Sequence, residues 1–287
     1  MKLRAPVLVT AAFALLLAVA APAGAAGEAF STEILPDSCQ LLSVDVATGV
    51  VTEVGSPENN PCFVTPFLAR SPDGNLWGVE APDGSLSLYR FDQTTGAHSK
   101  VGELGITSAF QDTFAALTFD PQGHLWFTLN SGAAPCSTSL TTCLYSLDPQ
   151  TGAATLVGGA GNNLIGGIAA DCTGLYAATS IGADLLQVDT ATGATTAIGP
   201  TGITPAVQGM SFSPDGTLYA LGAEVAEGPF HIWTIDPATG AGTQGAAVTG
   251  YASNPFDQGG LAMTPPTCAP LTPLVPTPVN IAPAFTG

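Results

Sequence analysis

Short runs of alternating apolar and polar residues cover most of this chain. In LYSLD (144–148) and IWTID (232–236) the large apolar side chains fall on alternate positions, which is the pattern of a half-buried β-strand. Gly, Asp, Pro and Thr separate these runs, and no helical periodicity of useful length follows the first 25 residues. The pattern predicts an all-β protein.

The motif D-x-x-T-G recurs five times, each time after an alternating run and before a Thr- or Val-rich run. Its copies start at Asp45, Asp92, Asp148, Asp189 and Asp236, which are 41 to 56 residues apart. An Asp at the start of a tight turn accepts backbone N–H bonds, and a Gly adopts the positive φ that such turns need. Each copy therefore predicts a β-hairpin.

A second motif alternates with the first. It occurs as SPDGNLW from Ser71, DPQGHLW from Asp120, DCTGLY from Asp171 and SPDGTLY from Ser213. Each copy follows a small apolar run and precedes another run that opens with Leu-Trp or Leu-Tyr. Two hairpins in each repeat make four short strands, and about 45 residues for four strands is typical of a β-propeller blade.

The two ends of the repeat region complement each other. LLSVDVATGVVTEVG (41–55) contains an outer hairpin alone, and QGGLAM (258–263) is a single inner strand. Pairing them completes a fifth blade and removes two free sheet edges. We therefore predict a five-bladed β-propeller over residues 39–268, closed by pairing N-terminal outer strands with a C-terminal inner strand.

The first 25 residues have the features of a secretory signal peptide. Lys2 and Arg4 precede an apolar stretch, and Ala23-Gly24-Ala25 supplies a small-residue cleavage site. A membrane anchor is the alternative interpretation, but the small-residue site favours cleavage after Ala25. We expect a secreted protein, extracellular or periplasmic, with an N-terminal lead (26–38) before the propeller and a flexible Pro/Thr-rich tail (269–287) after it.

The chain is strongly acidic. It contains 22 acidic and five basic residues, and its formal net charge is −17. Loss of the leader leaves Arg70, Arg90 and Lys100 as the basic residues. Such a protein repels nucleic-acid phosphates and anionic lipid, so we expect neither as a partner. We expect a monomer that spans no membrane and binds an extracellular ligand or protein.

The six cysteines form an even set, which in a secreted chain indicates three disulfides, although fifteen pairings are possible. Cys136 and Cys143 bracket a short loop before a strand. Cys39 and Cys62 flank the closing blade at one end, and their pairing leaves Cys172 for Cys268. A zinc site is disfavoured because the cysteines and the three histidines show no ligand spacing.

The two alternating motifs resemble those of secreted bacterial β-propeller repeat proteins, the broad group with YVTN-type, NHL-type and gluconolactonase-like members. The resemblance spans about Cys39 to Met263. It implies a propeller fold, and the group includes lactonases, lyases and cell-surface proteins. Gluconolactonase-like enzymes hold an axial metal through an early Glu, for which Glu58 is the candidate, but their catalytic Asp context is not found. The Phe-Gly-Glu-Gly motif of plant-type glutaminyl cyclases is absent from the sequence.

The turn acids and the recurrent aromatic residues have a structural and a functional interpretation. A turn Asp is compatible with calcium, but turn formation alone explains it. The aromatic residues at equivalent strand positions are compatible with a sugar-stacking platform, but their regular spacing favours packing between blades. We expect the structural role in both cases.

Loops that enter the innermost strands of a propeller converge on its axis, where ligands usually bind. Here these loops carry polar residues that vary between repeats. The candidates for an axial ligand site are Asp112, Asn162, Asn163, Gln208, Asp257 and Gln258. Asp112 and Asp257 suit a hard cation such as Ca²⁺, and a water-lined channel is the alternative.

The sequence thus favours a secreted, non-enzymatic propeller that acts as a binding or surface-associated module. The alternative is a metal-dependent hydrolase or lyase, similar to a lactonase, with an axial active site. The sequence assigns no catalytic residue.

Overall fold

Twenty strands form five four-stranded antiparallel sheets, which confirms the predicted five-bladed β-propeller. The computed structural model describes residues 27–35, 38–55, 67–81, 85–106, 115–131, 141–161, 163–180, 184–204, 206–223, 229–251 and 258–269. The innermost strands of neighbouring blades contact one another around a ring in the order blade 1 to blade 5 and back to blade 1. No α-helix occurs in these described ranges, and accordingly none that could span a membrane.

The strands are numbered in chain order, and each blade is given from its innermost strand outward. Blade 1 contains β20 (Gln258–Ala262), β1 (Glu28–Leu35), β2 (Ser38–Asp45) and β3 (Val51–Gly55). Blade 2 contains β4 (Phe67–Arg70), β5 (Leu76–Glu80), β6 (Ser87–Phe91) and β7 (His98–Glu103). Blade 3 contains β8 (Ala115–Phe119), β9 (Leu125–Ser131), β10 (Thr141–Leu147) and β11 (Ala154–Gly159).

Blade 4 contains β12 (Ile165–Ala170), β13 (Leu175–Thr179), β14 (Asp184–Val188) and β15 (Thr195–Pro200). Blade 5 contains β16 (Ala206–Phe212), β17 (Leu218–Ala223), β18 (Phe230–Ile235) and β19 (Gly242–Ala247). Both repeated turns lie where the innermost strands end, and we call this side the turn face. The opposite side, where the innermost strands begin, is the loop face.

Blade 1 closes the ring with three strands from the N-terminal end and one from the C-terminal end. The sequence pattern predicts a lead over residues 26–38 before an outer hairpin, but this prediction is wrong because the segment contains β1. The segment lacks the usual large apolar alternation, because Ser31, Thr32 and Glu33 occupy its centre, and all three are buried. Ser31 Oγ donates a hydrogen bond to the carbonyl oxygen of Gly260 at 3.0 Å, which joins β1 to the closing strand β20.

The apolar core lies between blades rather than inside one layer. The two faces of each sheet pack against different neighbours, so that Trp77 and Val79 of blade 2 share a buried cluster with Phe127 and Tyr145 of blade 3. The recurrent aromatic side chains mostly occupy these interfaces, as predicted: Tyr89, Tyr145, Tyr176 and Trp233 are between 4 and 7% exposed. Burial of both sheet faces is what the repeat has to encode.

The D-x-x-T-G turn also clasps the preceding blade. Its Thr-Gly end packs on a glycine near the end of the neighbouring outer strand, so closely that a Cβ on that glycine would overlap the turn backbone. The glycine pairs are Gly55 with Gly96, Gly102 with Gly152, Gly158 with Gly193 and Gly199 with Gly240. The full repeat is therefore D-x-x-T-G-x5-G, and its last Gly permits a close approach of two backbones.

The fifth contact between a D-x-x-T-G turn and a neighbouring outer strand lies at ring closure, between blades 1 and 5. It has Ala246 where the other four contacts have glycine. Here backbone hydrogen bonds join the turn of blade 1 to the end of blade 5: Val51 N–H donates to the Thr249 carbonyl and Thr249 N–H to the Gly49 carbonyl, each at 3.0 Å. Val50 and Thr249 form an isolated parallel bridge at the same point. The joint between the two chain ends thus contains main-chain pairing.

Candidate functional site

Half of the predicted axial ligand set lies outside the described residues. These three residues are Asp112, Asn162 and Asp257. Glu58, the separate metal-ligand candidate implied by the family resemblance, also lies outside the described residues. Gln258 begins the closing strand β20, which reaches the axis. The predicted Ca²⁺ site at Asp112 and Asp257 therefore stays a prediction.

The two remaining candidates, Asn163 and Gln208, occupy different places. Asn163 Nδ2 donates to the Ala160 carbonyl at 3.4 Å and to Thr195 Oγ1 at 3.3 Å, so its amide ties the entry of blade 4 to the outer strand of that blade. Gln208 lies on β16 and lines the small cavity at the axis. Asn163 thus has a structural contact and Gln208 lies beside the axis, and a ligand-binding role for either residue stays a prediction.

The axis is narrow at this level because glycines from successive inner strands pack together. A Cβ on Gly166 would overlap the Val207 carbonyl, and a Cβ on Gly209 would lie 2.6 Å from the Gly260 carbonyl carbon. The remaining axial cavity has a volume of about 10 Å³, roughly that of one water molecule. The part of the axis that the structure describes is therefore filled by backbone and apolar side chains.

A segment after the last strand spans part of the turn face. This C-terminal strap (residues 263–269) leaves blade 1, and the Met263 N–H donates to Ser211 Oγ of blade 5 at 3.1 Å. The strap then reaches blade 4, where Cys268 forms a disulfide with Cys172. Six extended residues reach about 20 Å at most, so the strap is a short connection. It joins blades that are not neighbours in the ring.

The disulfide between Cys172 and Cys268 agrees with the pairing expected from the sequence, with Cα atoms 5.5 Å apart. Cys143 is also disulfide-bonded. Its expected partner, Cys136, lies outside the described residues, as does Cys62. The other two predicted pairs, Cys136–Cys143 and Cys39–Cys62, stay predictions.

A second cavity is a cleft on the turn face between blades 3 and 4. Its volume is about 200 Å³. Asp120, Gln122 and Trp126 of blade 3 form one wall, and the turn 171–174 with Thr190 of blade 4 forms the other. Cys172 lines the cleft, so the strap is bonded to its rim, and Gln122 Nε2 lies 3.7 Å from Cys268 Sγ.

Four hydrogen bonds hold the Asp120 carboxylate in this cleft. Oδ1 accepts the backbone N–H groups of Gln122 and His124, at 3.0 and 2.9 Å. Oδ2 contacts His124 Nδ1 at 2.8 Å and accepts the indole N–H of Trp126 at 3.1 Å. The carboxylate thereby fixes the Trp126 side chain, and both its oxygens already have partners.

Asp171 faces Asp120 across the cleft and is bonded differently. Its Oδ1 accepts the N–H groups of Thr173 and Gly174, at 2.7 and 3.0 Å, and the Thr173 hydroxyl at 2.7 Å. Its Oδ2 has no hydrogen-bond donor among the residues that the structure describes. Asp171 thus lines the cleft with one carboxylate oxygen that accepts no hydrogen bond from the described residues, whereas both oxygens of Asp120 have partners.

This cleft lies outside the axial site predicted from the sequence, although the sequence contains a signal for it. At the first position of the second motif, blades 2 and 5 have Ser71 and Ser213, whereas blades 3 and 4 have Asp120 and Asp171. The two carboxylates therefore occur in adjacent blades on the same face. Cys172 also replaces the Pro of the motif, which marks the point where the strap attaches.

The Asp residues of the five hairpin turns have the structural role that we expected. Asp92 Oδ1 accepts hydrogen bonds from the backbone N–H groups of Thr94 and Thr95. Asp189 accepts one from the backbone N–H of Ala191 and one from the hydroxyl of Thr192. Backbone hydrogen bonds lower the pKa of each of these carboxyls below its ordinary value. No group of three or more acidic, His or Cys side chains with metal-binding geometry occurs among the described residues.

A buried Glu and His between blades 1 and 2 form a second chemically distinct feature. Glu80, at the end of β5, is 3% exposed, and its carboxylate lies 3.6 Å from Nε2 of His98 on β7. Burial raises the pKa of Glu80 to about 7 and lowers that of His98. Neither carboxylate oxygen of Glu80 accepts a hydrogen bond from the residues that the structure describes, which favours the protonated acid there.

Comparison with known proteins supports the fold and nothing narrower. No family model and no curated protein matches the chain. The chain is similar to a solved chain of the nidogen/laminin complex, with a TM-score of 0.50 and 8% identity over 82% of this chain and 97% of the other. It is also similar to the PQQ-bound aldose sugar dehydrogenase of Streptomyces coelicolor, with a TM-score of 0.49 and 16% identity over 77% and 82%.

A third similar structure is TolB from Acinetobacter baumannii, with a TM-score of 0.48 and 16% identity. The match covers 83% of this chain and 55% of TolB, so the chain spans about half the length of that protein. The solved neighbours include both enzymes and binding proteins. The β-propeller fold hosts many unrelated functions, and none of these similarities assigns an activity to this chain.

Proposed function

We propose that this protein is a secreted, non-enzymatic binding module whose ligand site is the cleft between blades 3 and 4. The observation that carries the proposal is the cleft itself, with a volume of about 200 Å³, a fixed Trp126 wall and the open carboxylate oxygen of Asp171. Ligand sites are clefts with a few placed polar groups that fix the orientation of the ligand, and the lining of this cleft contains such groups.

The disulfide between Cys172 and Cys268 supports two parts of the proposal, a rigid rim of the cleft and secretion of the protein. It attaches the strap to Cys172 at the rim, which restricts movement of the turn 171–174. Structural disulfides persist in oxidising compartments, in agreement with export by the predicted signal peptide. The described part of the axis is nearly filled, so a site on the turn face is favoured over one deep in the channel.

The test uses the three tryptophans of the chain as reporters. Small amines, glycosides and lactones are titrated into ¹⁵N-labelled protein, and the three indole N–H signals are followed. A ligand of the cleft shifts the Trp126 signal and leaves those of Trp77 and Trp233 in place, and the ligand is recovered chemically unchanged. Turnover of a lactone without a Trp126 shift would contradict the proposal and favour the lactonase-like alternative.

A further inference from the structure

The walls of the cleft carry negative charge and no positive charge. Its lining contains the carboxylates of Asp120 and Asp171 and no Lys or Arg. The three basic residues outside the leader, Arg70, Arg90 and Lys100, all belong to blade 2. The lining and the acidic character of the whole chain therefore attract cations to the cleft.

The carboxylates of Asp120 and Asp171 differ in how many of their oxygens accept hydrogen bonds. Asp120 Oδ2 accepts the Trp126 indole N–H at 3.1 Å, so the hydrogen-bonding edge of that ring is occupied and the ring itself forms the wall. Asp171 keeps Oδ2 open, because its Oδ1 takes the three bonds within its own turn. A cleft lined by both a carboxylate with an open oxygen and an indole side chain matches a group that is both a cation and a hydrogen-bond donor.

We infer that the cleft between blades 3 and 4 binds the guanidinium or ammonium group of a ligand, with Asp171 as the charge partner and Trp126 as the stacking wall. This inference rests on the proposed function and names its ligand class. A planar guanidinium fits better than an ammonium ion, because it stacks on an aromatic ring while it donates to a carboxylate. The volume of about 200 Å³ accommodates such a group on a short alkyl chain.

The decisive experiment compares n-butylguanidinium with its neutral analogue n-butylurea. Each is titrated into wild-type protein while the Trp126 indole signal is followed. We expect saturable binding of the guanidinium compound and no saturable shift with the urea. Equal binding of the two compounds would overturn the inference, because the charge would then contribute nothing.

Matched variants assign the charge to one residue. Asp171→Asn keeps the shape of the side chain and should weaken n-butylguanidinium binding about tenfold, as expected for loss of a charge-assisted hydrogen bond. Asp215→Asn removes an equal charge from a turn of blade 5 and should leave the affinity unchanged. Full affinity in Asp171→Asn, with its fold verified by the spectrum, would overturn the assignment.

A second pair of variants does not disturb the Asp171 turn. Thr190 lines the cleft and is exposed, so Thr190→Arg places a guanidinium at the site and should compete with the added compound. Thr190→Gln adds a neutral side chain of similar reach at the same position and should bind n-butylguanidinium more tightly than Thr190→Arg does. A shift of the Trp126 signal with methyl glucoside but not with n-butylguanidinium would support the binding function and contradict the inferred ligand class. The absence of a Trp126 shift with every probe would contradict both the binding function and the ligand class.

Discussion

At the scale of single residues, the acidic side chains of this protein occupy two opposite environments. The turn Asp residues accept backbone N–H groups near the surface, which lowers their pKa. Glu80 is buried between blades, which raises its pKa to about 7. The hydrogen bonds of the turn Asp residues stabilise their ionised carboxylates at neutral pH, whereas burial disfavours ionisation of Glu80.

Glu80 gives a prediction about pH. Its folded-state pKa is raised, so the folded protein binds the proton more tightly than the unfolded chain does, and stability falls as pH rises from about 4.5 to about 7. His98 acts in the opposite direction below its ordinary pKa, because burial lowers its pKa in the folded state. Replacing Glu80 with Gln and comparing with wild type at each pH isolates the Glu80 contribution.

We expect the stability of Glu80→Gln relative to wild type to increase by about 2–3 kcal/mol between pH 5 and pH 8. Urea unfolding at several pH values measures this difference. Glu103→Gln is the control, because Glu103 lies in the same blade with its side chain 63% exposed. A pH-independent difference between Glu80→Gln and wild type would show that Glu80 ionises normally.

Residue-level prediction succeeded where local rules determine the role. The Asp and Gly of D-x-x-T-G act within one turn, and the sequence alone assigns them. Glu80 and the cleft residues depend on the neighbouring blade. Glu80 and His98 belong to separate strands of one sheet packed against blade 1, and Asp120 and Asp171 come from different blades. Local pattern carries no direct information on such pairs.

At the scale of elements, the repeated hairpin is also a joint between blades. The glycine near the end of each outer strand allows the next turn to approach its backbone, and four of the five joints use this arrangement. The fifth joint has Ala246 in place of this glycine, and main-chain hydrogen bonds of Val51 and Thr249 join its two blades. The repeat therefore specifies both a turn and the spacing between adjacent blades.

Gly158→Ala tests the joint between blades 3 and 4. The added Cβ would overlap the Thr192 carbonyl, which is backbone and cannot move aside alone, so the free energy of unfolding should fall by about 2 kcal/mol or more. Gly27→Ala is the control, since its Cβ would meet only Asp45 Oδ1 at 3.9 Å, and it should change stability little. Urea unfolding compares the two, and equal stability would show that the joints are loosely packed.

Element prediction failed at one strand for a definable reason. β1 contains Ser31, Thr32 and Glu33 at buried positions, so it does not show the apolar alternation of the other strands. Its partner β20 lies more than 200 residues away, and the hydrogen bond from Ser31 to Gly260 satisfies a polar group that local pattern assigns to solvent. Long-range pairing overrides local composition here.

At the scale of the whole molecule, the two chain ends hold the ring together by two independent means. Strand β20 pairs with β1, and the strap beyond it is bonded through Cys268 to blade 4. The loop that this disulfide closes spans a sequence separation of 96, for which chain entropy predicts a stabilisation of roughly 4–5 kcal/mol.

Removing that bond should weaken the ring without opening it. In the double variant Cys172→Ser with Cys268→Ser, β20 keeps its hydrogen bonds, so we expect a folded monomer with a lower melting temperature, measured by calorimetry. The double change leaves no unpaired thiol at this site. An unchanged melting temperature would mean that the strap holds its position by packing of Met263, Pro265 and Pro266 alone, since all three are buried.

Truncation separates the strand from the strap and the tail. Deletion of residues 271–287 keeps both closures, so the melting temperature should stay close to that of the full chain. Deletion of residues 258–287 removes β20 as well, which exposes the edge of β1 and the inner strands of blades 2 and 5 that contact β20. Exposed edges of this kind pair with other chains, so we expect aggregation or unfolding, followed by light scattering and circular dichroism. A stable monomer after the longer deletion would show that four complete blades and an open fifth are sufficient, and that closure by β20 is not what holds the ring.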